Sequence, residues 1–71
     1  MQLNPLEHTL IRSVSRETGI EIIKREYVEY KDETFYSLSV EKDIDLFFDK
    51  LIQKGFEKTD SFIDNNLIYL R

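Results

Sequence analysis

The side chains that could carry chemistry are few and scattered. His8 is the only histidine and there is no cysteine, so neither a conventional zinc site nor a cysteine–histidine pair can be assembled. At the first turn of a helix His8 reads as a capping-staple or surface residue. Glu41, Asp43, Asp45 and Asp49 cluster around the start of a second helix. They lack the glycine-bearing loop of a calcium site and suit the positive end of a helix dipole. Ser13, Ser15, Ser37, Ser39 and Ser61 have no nucleophile-elbow glycines around them. Both glycines, Gly19 and Gly55, fall where helices stop, which leaves none for a phosphate loop. A catalytic pocket needs roughly 300 Å³ of concavity, which a two-layer domain of this size rarely spares. The expectation is a protein with no catalytic, cofactor-binding or metal-binding residues.

Two binding chemistries remain. Arg12, Arg16, Lys24 and Arg25, with Tyr27, Tyr30 and Phe35 nearby in the chain, could form a charged stacking surface for single-stranded nucleic acid. Glu17, Glu21, Glu26 and Glu29 interleave with them, which favours a solvated ion-pair surface. The net charge of −4 has one source. Residues 1–31 hold five acidic and five basic side chains, whereas residues 32–71 hold nine and five. Salt-driven binding to nucleic acid is therefore disfavoured. The inverse alternative is an acidic mimic of DNA built from Asp43, Asp45, Asp49, Glu57, Asp60 and Asp64. Lys42, Lys50, Lys54 and Lys58 weaken it.

The elements that must position any site are legible. Asn4 is a good N-cap, Pro5 suits the first helical position, and Glu7 can reach back to the Asn4 amide. Leu6, Leu10, Ile11 and Val14 follow helical spacing up to Gly19, which predicts a helix over 5–18. Strands are expected at 20–30 and 34–40 across the turn Lys31-Asp32-Glu33. Ile44, Phe47, Phe48, Leu51 and Ile52 mark a second helix closed by Gly55. A second hairpin is expected from 56–63 and 67–71 across Asp64-Asn65-Asn66. The reading is one α+β domain over residues 1–71, in the order αββαββ, with two helices on one face of an antiparallel sheet.

Composition adds context. The chain is 41% hydrophobic and 34% charged, an ordinary globular balance, with no alanine or tryptophan and a single proline. That bias fits an AT-rich genome, such as a low-GC bacterium or its phage. No run approaches 18 apolar residues and no leader pattern opens the chain, so a cytoplasmic protein without membrane contact is expected.

The stretch "GIEIIKREYVEYKDETFYSLSV" poses the functional question, because its apolar residues do not alternate. Ile22-Ile23, Tyr27-Val28 and Phe35-Tyr36 are adjacent, so large side chains must occupy both sheet faces. With Ile20, Ile22, Val28, Tyr36, Leu38 and Val40 toward the helices, Ile23, Arg25, Tyr27 and Phe35 face away. The last strand adds either Leu67 and Tyr69 or Ile68 and Leu70 to that far face. One unbroken register would bury Lys24 and Glu26, so a bulge or strong twist is expected. An uncovered aromatic face marks an interface. The sequence thus points to a small protein-interaction module, a regulator or inhibitor that binds another protein. Arg25, Tyr27, Phe35 and Tyr69 are its candidate partner-binding residues. It is expected to form a homodimer in which Tyr27 and Phe35 lose exposure.

Overall fold

The computed structural model describes residues 3–56 and 60–71. Helix α1 (Pro5–Thr18) opens with the expected reciprocal cap. The Glu7 amide donates to Asn4 Oδ1 at 2.8 Å and the Asn4 amide donates to Glu7 Oε1 at 2.9 Å. Two of the helix's orphan donors are thereby satisfied. Gly19 ends it at φ 72°, its N–H donating to the Ser15 carbonyl. A side chain there would be strained.

Strands β1 (Ile22–Tyr30) and β2 (Glu33–Val40) follow as an antiparallel hairpin. The turn is shorter than the sequence suggests. Lys31 and Asp32 sit at φ 49° and 66°, the type I′ geometry, and Glu33 already pairs with Tyr30. Helix α2 (Ile44–Gln53) starts after Asp43, which takes a left-handed conformation and makes no side-chain cap bond. Lys54 caps its C-terminus, and Gly55 follows at φ 124°.

The second hairpin joins β3 (Phe62–Asp64) to β4 (Leu67–Leu70) across Asn65 and Asn66, again at positive φ. Of the strand expected over 56–63, only Phe62 and Ile63 are strand among the described residues. Phe56 is buried in the core outside any strand, residues 57–59 lie outside the described residues, and pairing begins at Phe62. Asp64, expected in the turn, pairs with Leu67.

The sheet order is β1-β2-β4-β3, antiparallel throughout. Both helices pack on one face of it. Ile11 and Val14 of α1 and Phe47, Phe48 and Leu51 of α2 meet Tyr36, Leu38, Ile68 and Leu70 of the central strands. The α+β class, the αββαββ order and the one-sided helix layer are as the sequence predicts.

The register of β1 corrects the face assignment. A bulge lies between Ile22 and Lys24, and beyond it Arg25 pairs with Leu38, Tyr27 with Tyr36 and Val28 with Phe35. Opposed residues of an antiparallel pair share a face. Arg25 and Tyr27 therefore stand on the helix side, with Tyr36 and Leu38, and Val28 stands on the far side. The physical reason is charge. The extra residue lets Lys24 and Glu26 point away from the core, where they form an exposed ion pair at 3.3 Å.

Candidate protein-binding surface

The far face is aromatic, and it has closed on itself. Ser37 pairs with Tyr69 and Tyr69 with Phe62, which places Phe35, Tyr69, Phe62, Val28 and Tyr30 together on this side. Leu67 and Tyr69, not Ile68 and Leu70, are thus the contribution of β4. Phe62 and Tyr69 stack at 4.9 Å and 10°. Phe35 sits edge-on to Phe62 at 5.3 Å and to Tyr69 at 5.9 Å. Tyr30 reaches both Phe62 and Tyr69, at 5.3 and 4.9 Å.

These distances have a consequence, since β1 and β3 are opposite edges of the sheet. In a flat sheet they would be about 14 Å apart, so Tyr30 and Phe62 must lean inward over β2 and β4. The Tyr30 hydroxyl completes the clasp by donating to Asp64 Oδ2 at 2.8 Å. That bond to a carboxylate, then partial burial, raises the Tyr30 pKa above its ordinary value near 10. Phe35 is left 4% exposed and Tyr69 8%. The expectation that Phe35 is bare in the single chain and loses exposure to a second copy is corrected by this packing. Its own neighbours cover it.

Arg25 and Tyr27 belong to a different cluster, against the start of α1. Arg25 Nε donates to the Tyr36 hydroxyl at 2.6 Å, and its NH2 group meets His8 Nδ1 at 2.9 Å. A guanidinium only donates, so Nδ1 is the acceptor in this contact. The Tyr36 ring stands edge-on to His8 and to Tyr27. The Tyr27 hydroxyl accepts from the Leu3 amide at 3.2 Å. His8 is therefore more than a staple: it is half-buried and holds the Arg25 head in place.

What the sequence did not disclose is an open backbone edge. Among the described residues β1 is bonded on one side only. In a hairpin closed by a two-residue type I′ turn, the residues flanking the turn exchange both hydrogen bonds. Counting back from Tyr30, residues 24, 26, 28 and 30 aim their N–H and C=O groups at β2. Arg25, Tyr27 and Glu29 aim theirs outward. Large apolar side chains border this edge, with Tyr27 41% and Ile23 66% exposed. The one signal available beforehand is the density of charge in "KREYVE", a device that edge strands use against indiscriminate pairing.

The other candidate sets do not assemble. Tyr30 and Phe35 lie on the opposite side of the sheet from Arg25 and Tyr27. Lys24 is paired with Glu26, while Arg12 and Arg16 project from α1 into solvent. Of the acidic residues, Asp64 is bound by Tyr30, Asp43, Asp45, Asp49 and Asp60 are exposed, and Glu57 lies outside the described residues.

A depression of about 360 Å³ opens at the start of α2, between Ser39 and Val40, the loop Glu41–Asp43 and Asn66. The fold thus spares more concavity than its size suggests. The Glu41 carboxylate beside it accepts the Glu21 amide at 3.1 Å. Among the described residues no group of side chains suited to a metal ion forms. No helix among them is long and apolar enough to cross a membrane.

Comparison with protein-family models, with curated proteins and with solved structures gives no match.

Proposed function

We propose that this protein is a protein-interaction module whose binding element is the outer edge of β1. The observation that supports this is the backbone of Arg25, Tyr27 and Glu29, unpaired among the described residues on a long edge strand, beside the exposed Tyr27 ring. An extended segment added there gains main-chain hydrogen bonds, and its alternate side chains meet Tyr27 on one face and Val28 on the other. The aromatic face supports the role indirectly, because its packing stiffens the hairpin that presents the edge. A chain of 8.5 kDa with such an edge fits a small regulator or inhibitor that occupies a strand or groove of its target. The AT-type composition fits an origin in a bacterium or its phage.

Site-specific photo-cross-linking in the native host tests this reading. Probes at positions 25, 27 and 29 should give protein adducts, and probes at Asp49 and Asn65 should not. Glu29→Pro removes one outward N–H at a position where an edge strand tolerates proline. It should keep the circular dichroism spectrum and abolish the adducts formed from position 25. Adducts of equal yield from Asp49, or adducts indifferent to the proline, would refute edge binding.

A further inference from the structure

We infer that the strand received by the β1 edge is β1 of a second copy, antiparallel and centred on Tyr27. The inference rests on the edge being the binding element and adds the occupant and its register.

The geometry of the strand comes first. The bulge ends regular pairing at Lys24 and the turn ends it at Tyr30, so the regular segment is residues 24–30 and its midpoint is Tyr27. A two-fold axis through that midpoint, perpendicular to the sheet, keeps the helices of both copies on one side. It sets Tyr27 opposite Tyr27, Arg25 opposite Glu29, Glu26 opposite Val28 and Lys24 opposite Tyr30. The outward-facing backbone groups of 25, 27 and 29 then meet those of 29, 27 and 25 in the second copy. That is three hydrogen-bonding pairs and about six N–H···O bonds, with no outward group left over in the segment.

Charge selects the register. An axis on Lys24, Arg25, Glu26 or Glu29 would put that residue opposite its own copy, and like charges directly opposed across strands are destabilising. An axis on Val28 would set Arg25 against Lys31. Axes further out run into the bulge or the turn. Only the Tyr27 axis pairs no like charges, and it also supplies what Arg25 lacks. The guanidinium has Tyr36 and His8 as partners but forms no ion pair with a carboxylate among the described residues. Glu29 of the second copy, exposed and directly opposite, provides one on each side of the axis. Lys24 lies opposite Tyr30, an uncharged residue. The charges that deter indiscriminate pairing thus leave one symmetric pairing open.

Sedimentation equilibrium of the wild-type chain at about 100 μM should give twice the 8.5 kDa chain mass. In its homodimer Glu29→Lys opposes an ammonium to the Arg25 guanidinium twice, and Arg25→Glu opposes two carboxylates twice. Each should raise the dimer Kd about tenfold or more. An equimolar mixture restores an opposite-charge pair on both sides, so it should recover wild-type affinity as a heterodimer. Because Arg25→Glu also strips Tyr36 and His8 of a partner, a second readout uses the absence of cysteine. Tyr27→Cys should oxidise to a disulfide-linked dimer, since Cα atoms of a hydrogen-bonded pair are about 5.5 Å apart. Glu33→Cys, on the neighbouring strand, should not. A wild-type monomer at that concentration overturns the second copy as occupant. A dimer indifferent to Glu29→Lys that fails to cross-link through position 27 overturns the register. In the first case host adducts from 25 and 27 that vanish with Glu29→Pro would keep edge binding and assign the edge to a different protein. Their absence would end both readings.

Discussion

Replacing Phe35 with Ala removes a ring that is 4% exposed and touches Tyr30, Phe62 and Tyr69 at centroid distances of 6.1, 5.3 and 5.9 Å. Truncating a fully buried phenylalanine costs about 3–5 kcal/mol, the transfer free energy of the ring plus the cavity left behind. Part of that cavity opens to solvent here, because Tyr30 and Phe62 are only half-buried, so the lower end of the range, about 3 kcal/mol, is the expectation. Domains of this size have a total stability of roughly 4–10 kcal/mol, and Phe35→Ala should remove a large share of it. Phe35→Leu keeps most of the volume and should cost about 1 kcal/mol, as shape changes in a packed site do. Urea unfolding followed by circular dichroism, with a common m-value, measures both. If the aromatic face were bare and reserved for a partner, Phe35→Ala would cost less than about 0.5 kcal/mol, the usual limit for surface changes. A value that small would refute the claim that this side of the sheet is a second packed layer.

Tyr30→Phe should change how stability responds to alkali. The folded pKa of Tyr30 lies above its ordinary value near 10. The protonated clasp with Asp64 therefore contributes stability that is fully present below the unfolded pKa and lost as pH rises through the folded one. Tm measured from neutral pH into that window should fall less steeply for Tyr30→Phe than for wild type. Asn4→Ala should destabilise the domain by about 1 kcal/mol through loss of the reciprocal cap, read from the same urea curves. Glu7→Gln should cost less, since an amide oxygen can still accept the Asn4 N–H.

What was legible in the sequence and what was not divide along a physical line. Caps and periods are local. Asn4, Pro5 and Glu7 announce α1, and the spacing of Ile44, Phe47, Phe48, Leu51 and Ile52 announces α2, because a helix's own geometry dictates those patterns. The register of β1 is not local. In "IIKREYVEY" large apolar residues occupy both parities, so an axis of alternation through Ile22 and Val28 and one through Arg25 and Tyr27 fit equally until β2 is aligned beside them. The bulge decides between them; Lys24 and Glu26 announce a bulge or twist, as the structure shows, but no residue type marks its place, since Ile23 carries no glycine or proline signal. Both I′ turns were read one residue too long, since Lys31-Asp32 and Asn65-Asn66 lack the glycine that makes such a turn plain. Strand order is a tertiary property, and with it went the two features that matter most for binding. One is which strand has a free edge. The other is that Tyr30 and Phe62, on opposite edges, meet over the centre.

The bulge at Ile23 links the stability of the fold to its surface. Without it, Lys24 and Glu26 would follow Ile22 onto the helix side, and burying two unsolvated charges is a larger penalty than an 8.5 kDa domain can offset. With it, the parity beyond residue 23 inverts. Lys24 and Glu26 move into solvent, and Arg25 and Tyr27 move to the helix side, where Tyr36, His8 and the Leu3 amide receive their polar ends. Inversion also sends Val28 and Tyr30 to the far side, where Tyr30 can close over Phe35 and Phe62. The same residue stops regular pairing at Lys24 and so fixes the length of the open edge. Because that edge runs from Lys24 to Tyr30, its midpoint is Tyr27, an uncharged aromatic residue flanked at two positions on either side by Arg25 and Glu29. A bulge one position later would put the midpoint of the remaining edge between residues, where no same-face two-fold pairing exists. The irregularity that keeps the core free of charge therefore also makes the edge self-complementary.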